Sequence, residues 1–172
     1  MLDRALGWIA NTLLVLAALL AFVLCFIVVA DVAGRVLLNS PVKGTPEIVS
    51  YSIVVICYLQ AAYAIRSGGM INTDAITAHL PLRAQSLLAA FGALLGVILF
   101  AIICWGGVDG AAHAWTSGEF EGEGALRIPA WPARFAIVGG GALAALSYAV
   151  LLLRNLDAFR RGVAPATTSS SH

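Results

Sequence analysis

Long apolar runs alternate with short polar connections along this chain. The runs extend from about Trp8 to Ala30, Ile48 to Ile65, Leu87 to Trp105 and Phe135 to Leu153. Each approaches the roughly 20 apolar residues that a helix needs to cross about 30 Å of hydrocarbon. An isolated strand in lipid would leave its backbone N–H and C=O groups unpaired, so each run is predicted to be helical. Glu47 and Arg66 enclose the second run. At the rise of an α-helix they stand about 28 Å apart, one near each membrane face. Arg4 precedes the first run in the manner of a signal peptide, but the run exceeds the roughly 7–15 residues of a signal-peptide core. Asp31 and Arg35 follow it at i,i+4 spacing, which carries the helix into the interface. The expected fold is all-α: a four-transmembrane-helix bundle in a single domain over residues 1–161. The Ser/Thr-rich tail, 162–172, is expected to be disordered.

The connections sharpen this picture. Between the first two runs, Pro41, Gly44 and Pro46 break helical structure. Thr45 is expected to cap the second helix, with Pro46 in its first turn and Glu47 complementing the dipole. Gly68 and Gly69 end that helix. A short segment follows, started by Asn72 or Thr73, with Ile76 and Leu80 on one face. It is expected to lie at the membrane interface, and Pro81 then opens the third helix. The last connection, Ser117 to Pro132, is glycine-rich and acidic, and closes with the run Arg127 to Pro132 (RIPAWP).

Composition agrees with a lipid environment. Hydrophobic residues make up 60% of the chain and charged residues 11%, against about 25% charged in soluble domains; mean hydropathy is +0.92. A net charge of +1 without a basic cluster argues against a nucleic-acid partner. Cys25, Cys57 and Cys104 lie inside apolar runs and read as small buried hydrophobes. Arg4, Arg66, Arg83, Arg154, Arg160 and Arg161 fall on one side of the membrane; Arg35, Lys43, Arg127 and Arg134 fall on the other. The bias places both termini in the cytoplasm. The acidic segment Glu119, Glu121 and Glu123 then faces outward, with Trp105, Trp115 and Trp131 at or beyond the outer interface.

Residues that carry chemistry are sparse. No nucleophile elbow, zinc-helix motif or phosphate loop occurs, and no cofactor or metal site is expected. His79, in the second connection, and His113, placed just beyond the third helix, are on opposite sides and read as polar loop residues. No apolar run has a charge near its centre, where a transport path would show one. Glu47, Tyr51 and Tyr58 share one face of the second helix. They form either a seam that hydrogen-bonds a neighbouring helix or a lining for a solute. Gly92 with Gly96, Ala89 with Ala93, and Gly141, Ala145 and Ala149 have the spacing of close helix contacts. About half of these are expected to pack within the bundle.

Several elements occur in a characteristic order: Arg35 after the first span, PVKGTPEI (Pro41 to Ile48), GGMINTD (Gly68 to Asp74), Leu80-Pro81, and RIPAWP before the fourth. Over roughly residues 5–155 the chain resembles the small, DctQ-type permease subunit of tripartite ATP-independent periplasmic (TRAP) transporters. The resemblance implies a non-catalytic inner-membrane subunit. It would scaffold a large permease subunit and help dock a periplasmic substrate-binding protein, in sodium-coupled import of carboxylates or sulfonates. Arg35, Glu47 and Asp74 match charged positions of the family, and Gly44 its turn glycine. Met70 stands where the family often has His. Arg35, Glu47, Tyr51, Tyr58 and Asp74 are therefore expected to contact the large subunit or lipid headgroups, and Glu119, Glu121 and Glu123 the binding protein. Two other readings stay open: a membrane anchor of a redox enzyme, and the small subunit of another tripartite carboxylate transporter.

Overall fold

A computed structural model describes residues 2–40, 44–67, 80–121 and 128–163. Four helices, α1 (Leu2–Leu37), α2 (Thr45–Arg66), α3 (Leu82–Ser117) and α4 (Trp131–Arg161), are joined by a small antiparallel hairpin of β1 (Phe120–Glu121) and β2 (Ile128–Pro129) between α3 and α4. All four helices are long and apolar enough to cross a membrane, as the sequence predicts. The segment expected at the interface between α2 and α3, which holds Met70, Asp74 and His79, lies outside the described residues, as does the tail beyond Val163.

Each expected span lies inside a longer helix. At 22 residues, α2 measures about 33 Å and matches the hydrocarbon thickness. The 36 residues of α1 and of α3 measure about 54 Å and project beyond it. His113 accordingly sits within the last turns of α3, not beyond it: no proline follows Trp105 in that helix, which carries Gly106, Gly107 and Gly110 before it ends at Gly118. Trp105 lies about 15 Å from Trp115 along the same helix, so the two cannot share one interfacial belt.

Helix ends follow from local chemistry. Gly118 and Gly162 take left-handed φ of 61° and 67°. Each lets the next amide reach back, Glu119 N–H to the Ala114 carbonyl and Val163 N–H to the Ala158 carbonyl. Gly44, at φ 84°, holds the cap position of α2. Thr45 is therefore the first helical residue, not the cap, and Gly44 makes no side-chain cap.

The helices run up and down in the order α1, α2, α4, α3. Contact is most extensive between α3 and α4, then α1 with α2 and α2 with α4; α1 scarcely meets α4. One end, the hairpin end, gathers the last turns of α1 and α3 and the first turns of α2 and α4. The contacting faces are built from small residues. On α3 they include Ser86, Ala90, Ala93, Ala111 and Ala114, and on α4 Ala133, Gly140, Gly141, Ala144, Ser147 and Ala158. Steps of three and four residues bring the backbones close, which is how helices associate in lipid without a hydrophobic driving force.

Gly140 is the tightest point. A Cβ there would collide with the carbonyl oxygen of Tyr58 on α2 and lie 2.8 Å from its carbonyl carbon. Gly141, 100° around the helix, faces Cys104 and Phe100 of α3. Of the expected small-residue pairs, Ala93, Gly96 and Gly141 pack internally, Gly96 under the ring of Tyr148; Gly92 faces open space. Gly140→Ala should therefore destabilise the chain by about 1–3 kcal/mol by forcing α2 and α4 apart. Gly92→Ala should change stability little. Unfolding titrations of both variants in matched micelles would check this; equal effects would contradict the packing.

Candidate functional site at the hairpin end

Several polar residues at the hairpin end join one helix to another. Among them, Tyr51 joins α2 to α4. Its hydroxyl donates to the Pro129 carbonyl at 2.6 Å and accepts from the Ala133 N–H at 3.3 Å. The first-turn amides of a helix have no partner within it, and Ala130, at the cap position of α4, makes no side-chain cap. Tyr51 therefore supplies from α2 the cap that α4 lacks, and it fixes the end of β2 in the same bond pair.

Arg134 makes the second junction. Its guanidinium donates to the Gly110 carbonyl of α3 at 3.1 Å and pairs with both carboxylate oxygens of Glu119, at 3.1 and 3.0 Å. The Ala130 N–H donates to the Glu119 carbonyl at 2.8 Å, so the same residue holds the hairpin through backbone and side chain. Trp115, Trp131 and Phe135 pack edge to face beside it, with centroids 5.2 to 6.3 Å apart. The rings brace the end of α3 against the start of α4.

Between α2 and α4 a cavity of about 650 Å³ opens at this end. Pro46, Glu47, Ser50, Tyr51 and Arg134 line its polar part, and Val54 and Ile137 continue it along the two helices. The Oε2 atom of Glu47 is buried without a hydrogen-bond partner. Among the described residues, no group of His, Cys, Asp or Glu is arranged to hold a metal ion.

The remaining expected site residues separate. Arg35 is exposed and pairs at 2.8 Å with the buried Asp31, one turn back on α1. Tyr58 is half-buried and gives its backbone to the Gly140 contact. Glu121 belongs to β1, but its side chain, like the whole of Glu123 and Asp74, lies outside the described residues. The structure thus brings Glu47 and Tyr51 to one cavity, ties Glu119 to Arg134 of its lining, and leaves Arg35 apart. Arg134 and Gly140 were not singled out from sequence. A signal for Arg134 existed: a cation in the first turn of a helix opposes the dipole, and one kept there calls for a partner.

A family model described as the DctQ component of tripartite ATP-independent periplasmic transporters matches residues 24–158. The chain belongs to this family. Among curated proteins none matches it. The DctQ match decides between the three readings the sequence left open, in favour of the small permease component of a TRAP transporter. It runs from the middle of α1 to the last turns of α4, so the hairpin end of this DctQ chain lies wholly inside it.

Two substitutions test the junctions. Tyr51→Phe keeps the ring and removes the hydroxyl, leaving the Pro129 carbonyl and Ala133 amide without it. A loss of about 1–2 kcal/mol is expected, together with faster amide exchange at Ala133. Arg134→Gln should cost roughly 1–3 kcal/mol and loosen the hairpin, read as faster exchange at Ala130. Exchange unchanged in both variants would mean that the hairpin is held by other contacts.

Proposed function

We propose that this DctQ component is a non-catalytic scaffold in a sodium-coupled TRAP importer of organic acids, of the carboxylate or sulfonate class. In this reading it supports the large permease subunit and helps to seat the periplasmic binding protein. Both termini are in the cytoplasm of a cell whose inner membrane holds the complex, so the hairpin end faces the periplasm. The carrying observation is the openness of the assembly: α1 is held chiefly by α2, and much of its apolar surface, including Phe22, Phe26 and Val29, is exposed. A helix that contributes so little to its own chain's core has its packing surface free for another subunit.

The interface candidates divide by what already holds them. Arg35 and Asp74 are assigned to the large subunit or the headgroup region. Tyr51 and Tyr58 act within the chain, through the α4 cap and the Gly140 contact, and shape that surface indirectly. For the binding protein, Glu121 and Glu123 are the docking residues. Glu119 is tied to Arg134 and contributes mainly by holding the hairpin in place.

Co-expression with a tagged large subunit tests the scaffold. Wild-type chain should co-purify, and Arg35→Gln with Asp74→Asn should lower its recovery several-fold while leaving its helix content unchanged. Full recovery of the double variant would remove these residues from the interface. Reversing the charge of Glu121 and Glu123 should weaken uptake at low binding-protein concentration; identical uptake at every concentration would remove the docking role.

A further inference from the structure

The cavity between α2 and α4 has the chemistry of a headgroup site. We propose that it binds a phospholipid whose headgroup carries a primary ammonium, with the ammonium on Glu47 and the phosphate toward Arg134.

Four observations carry this. The buried Oε2 of Glu47 has no hydrogen-bond partner. A buried acceptor left unpaired is costly, and this one lines a cavity large enough for a small ligand. The missing partner is a donor, and an ammonium supplies both N–H groups and a positive charge. Arg134, whose guanidinium also holds Gly110 and Glu119, lines the same cavity. The N-termini of α2 and α4 both open onto this end, and helix N-termini favour phosphate oxygens. One acidic and one basic group on facing helices match a zwitterion better than a simple cation or anion.

Depth selects the amphiphile. Glu47 and Arg134 occupy the first turns of helices that enter the membrane at this end. Val54 and Ile137, one to two turns further along, continue the wall with apolar side chains. Along α2 the wall passes from Glu47, Ser50 and Tyr51 to Val54, and along α4 from Arg134 to Ile137, in the sense that a headgroup and its acyl chains require; Ile128, Ala130 and Ala133 complete the lining. A basic side chain from a partner subunit would satisfy Glu47 but would make no use of Arg134 or of the apolar continuation.

The proposal rests on the membrane placement of the chain and not on its role beside the large subunit. It is therefore tested on the full-length chain alone, so that its failure leaves the scaffold reading standing. Native mass spectrometry would follow lipid retention after addition of phosphatidylethanolamine or phosphatidylcholine with identical acyl chains. The two share a phosphate, but the quaternary amine has no N–H to donate. Phosphatidylethanolamine should be retained at least about fivefold better. Glu47→Gln should reduce it to the phosphatidylcholine level, and Val54→Phe should lower both. Stepwise N-methylation of the headgroup, measured on the unaltered chain, should weaken retention progressively and so keeps the test decisive if a variant fails to fold. Equal retention of the two lipids, or a preference that survives Glu47→Gln, would overturn the proposal. So would a zero-length carbodiimide link between Glu47 and a lysine of the large subunit, without any lipid preference in the isolated chain.

Discussion

Two adjacent glycines on α4 set the distances on which the rest of the chain depends. Gly140 lies against the backbone of Tyr58, and Gly141 lies against Cys104 and Phe100. Because successive residues are 100° apart around a helix, one pair of missing side chains allows close approach on two sides. Lipid offers little reward for bringing apolar helices together, so packing and polar contacts must supply it. A side chain at either position would push a neighbour outward, and the cavity at the hairpin end would change shape with it. α4 thus lies between α2 and α3, as α2 lies between α1 and α4, and α1 and α3 hold the outer positions.

The hairpin end is fixed by the same helix. Tyr51 caps α4 from α2, and Arg134 ties α4 to α3 and to Glu119. These bonds lie where each long helix leaves the hydrocarbon and the backbone first meets water and headgroups. Within the spans the groups that pack are mostly alanine and glycine; at this end they are hydroxyl, guanidinium and carboxylate.

Much of this was legible in the sequence. Apolar runs of membrane length located all four helices, since that signal depends only on composition over many residues. The placement of Tyr51 on a polar face of α2 also followed from spacing alone. Helix ends were harder. The sequence placed His113 beyond the third helix, because apolar character fades after Trp105 while the helix continues to Ser117. Thr45 has the composition of a cap, but Gly44 takes the cap position through its left-handed φ. Gly140 was hidden within a run of three glycines, of which Gly139 meets nothing and the other two face different helices. Which glycine faces which neighbour depends on rotation about the helix axis, and no spacing rule fixes that.

Oxidative cross-linking tests the two-sided packing of α4 most directly. With Cys25 and Cys57 replaced by serine, Gly141→Cys places a thiol opposite the native Cys104; an ideal Cβ at 141 lies 3.1 Å from the Cys104 sulfur, within the reach of a disulfide. In membranes, mild oxidation should link the two thiols within one chain, and the same thiol at Gly139 should remain free. Equal cross-linking from both positions, or none from Gly141→Cys, would contradict the account.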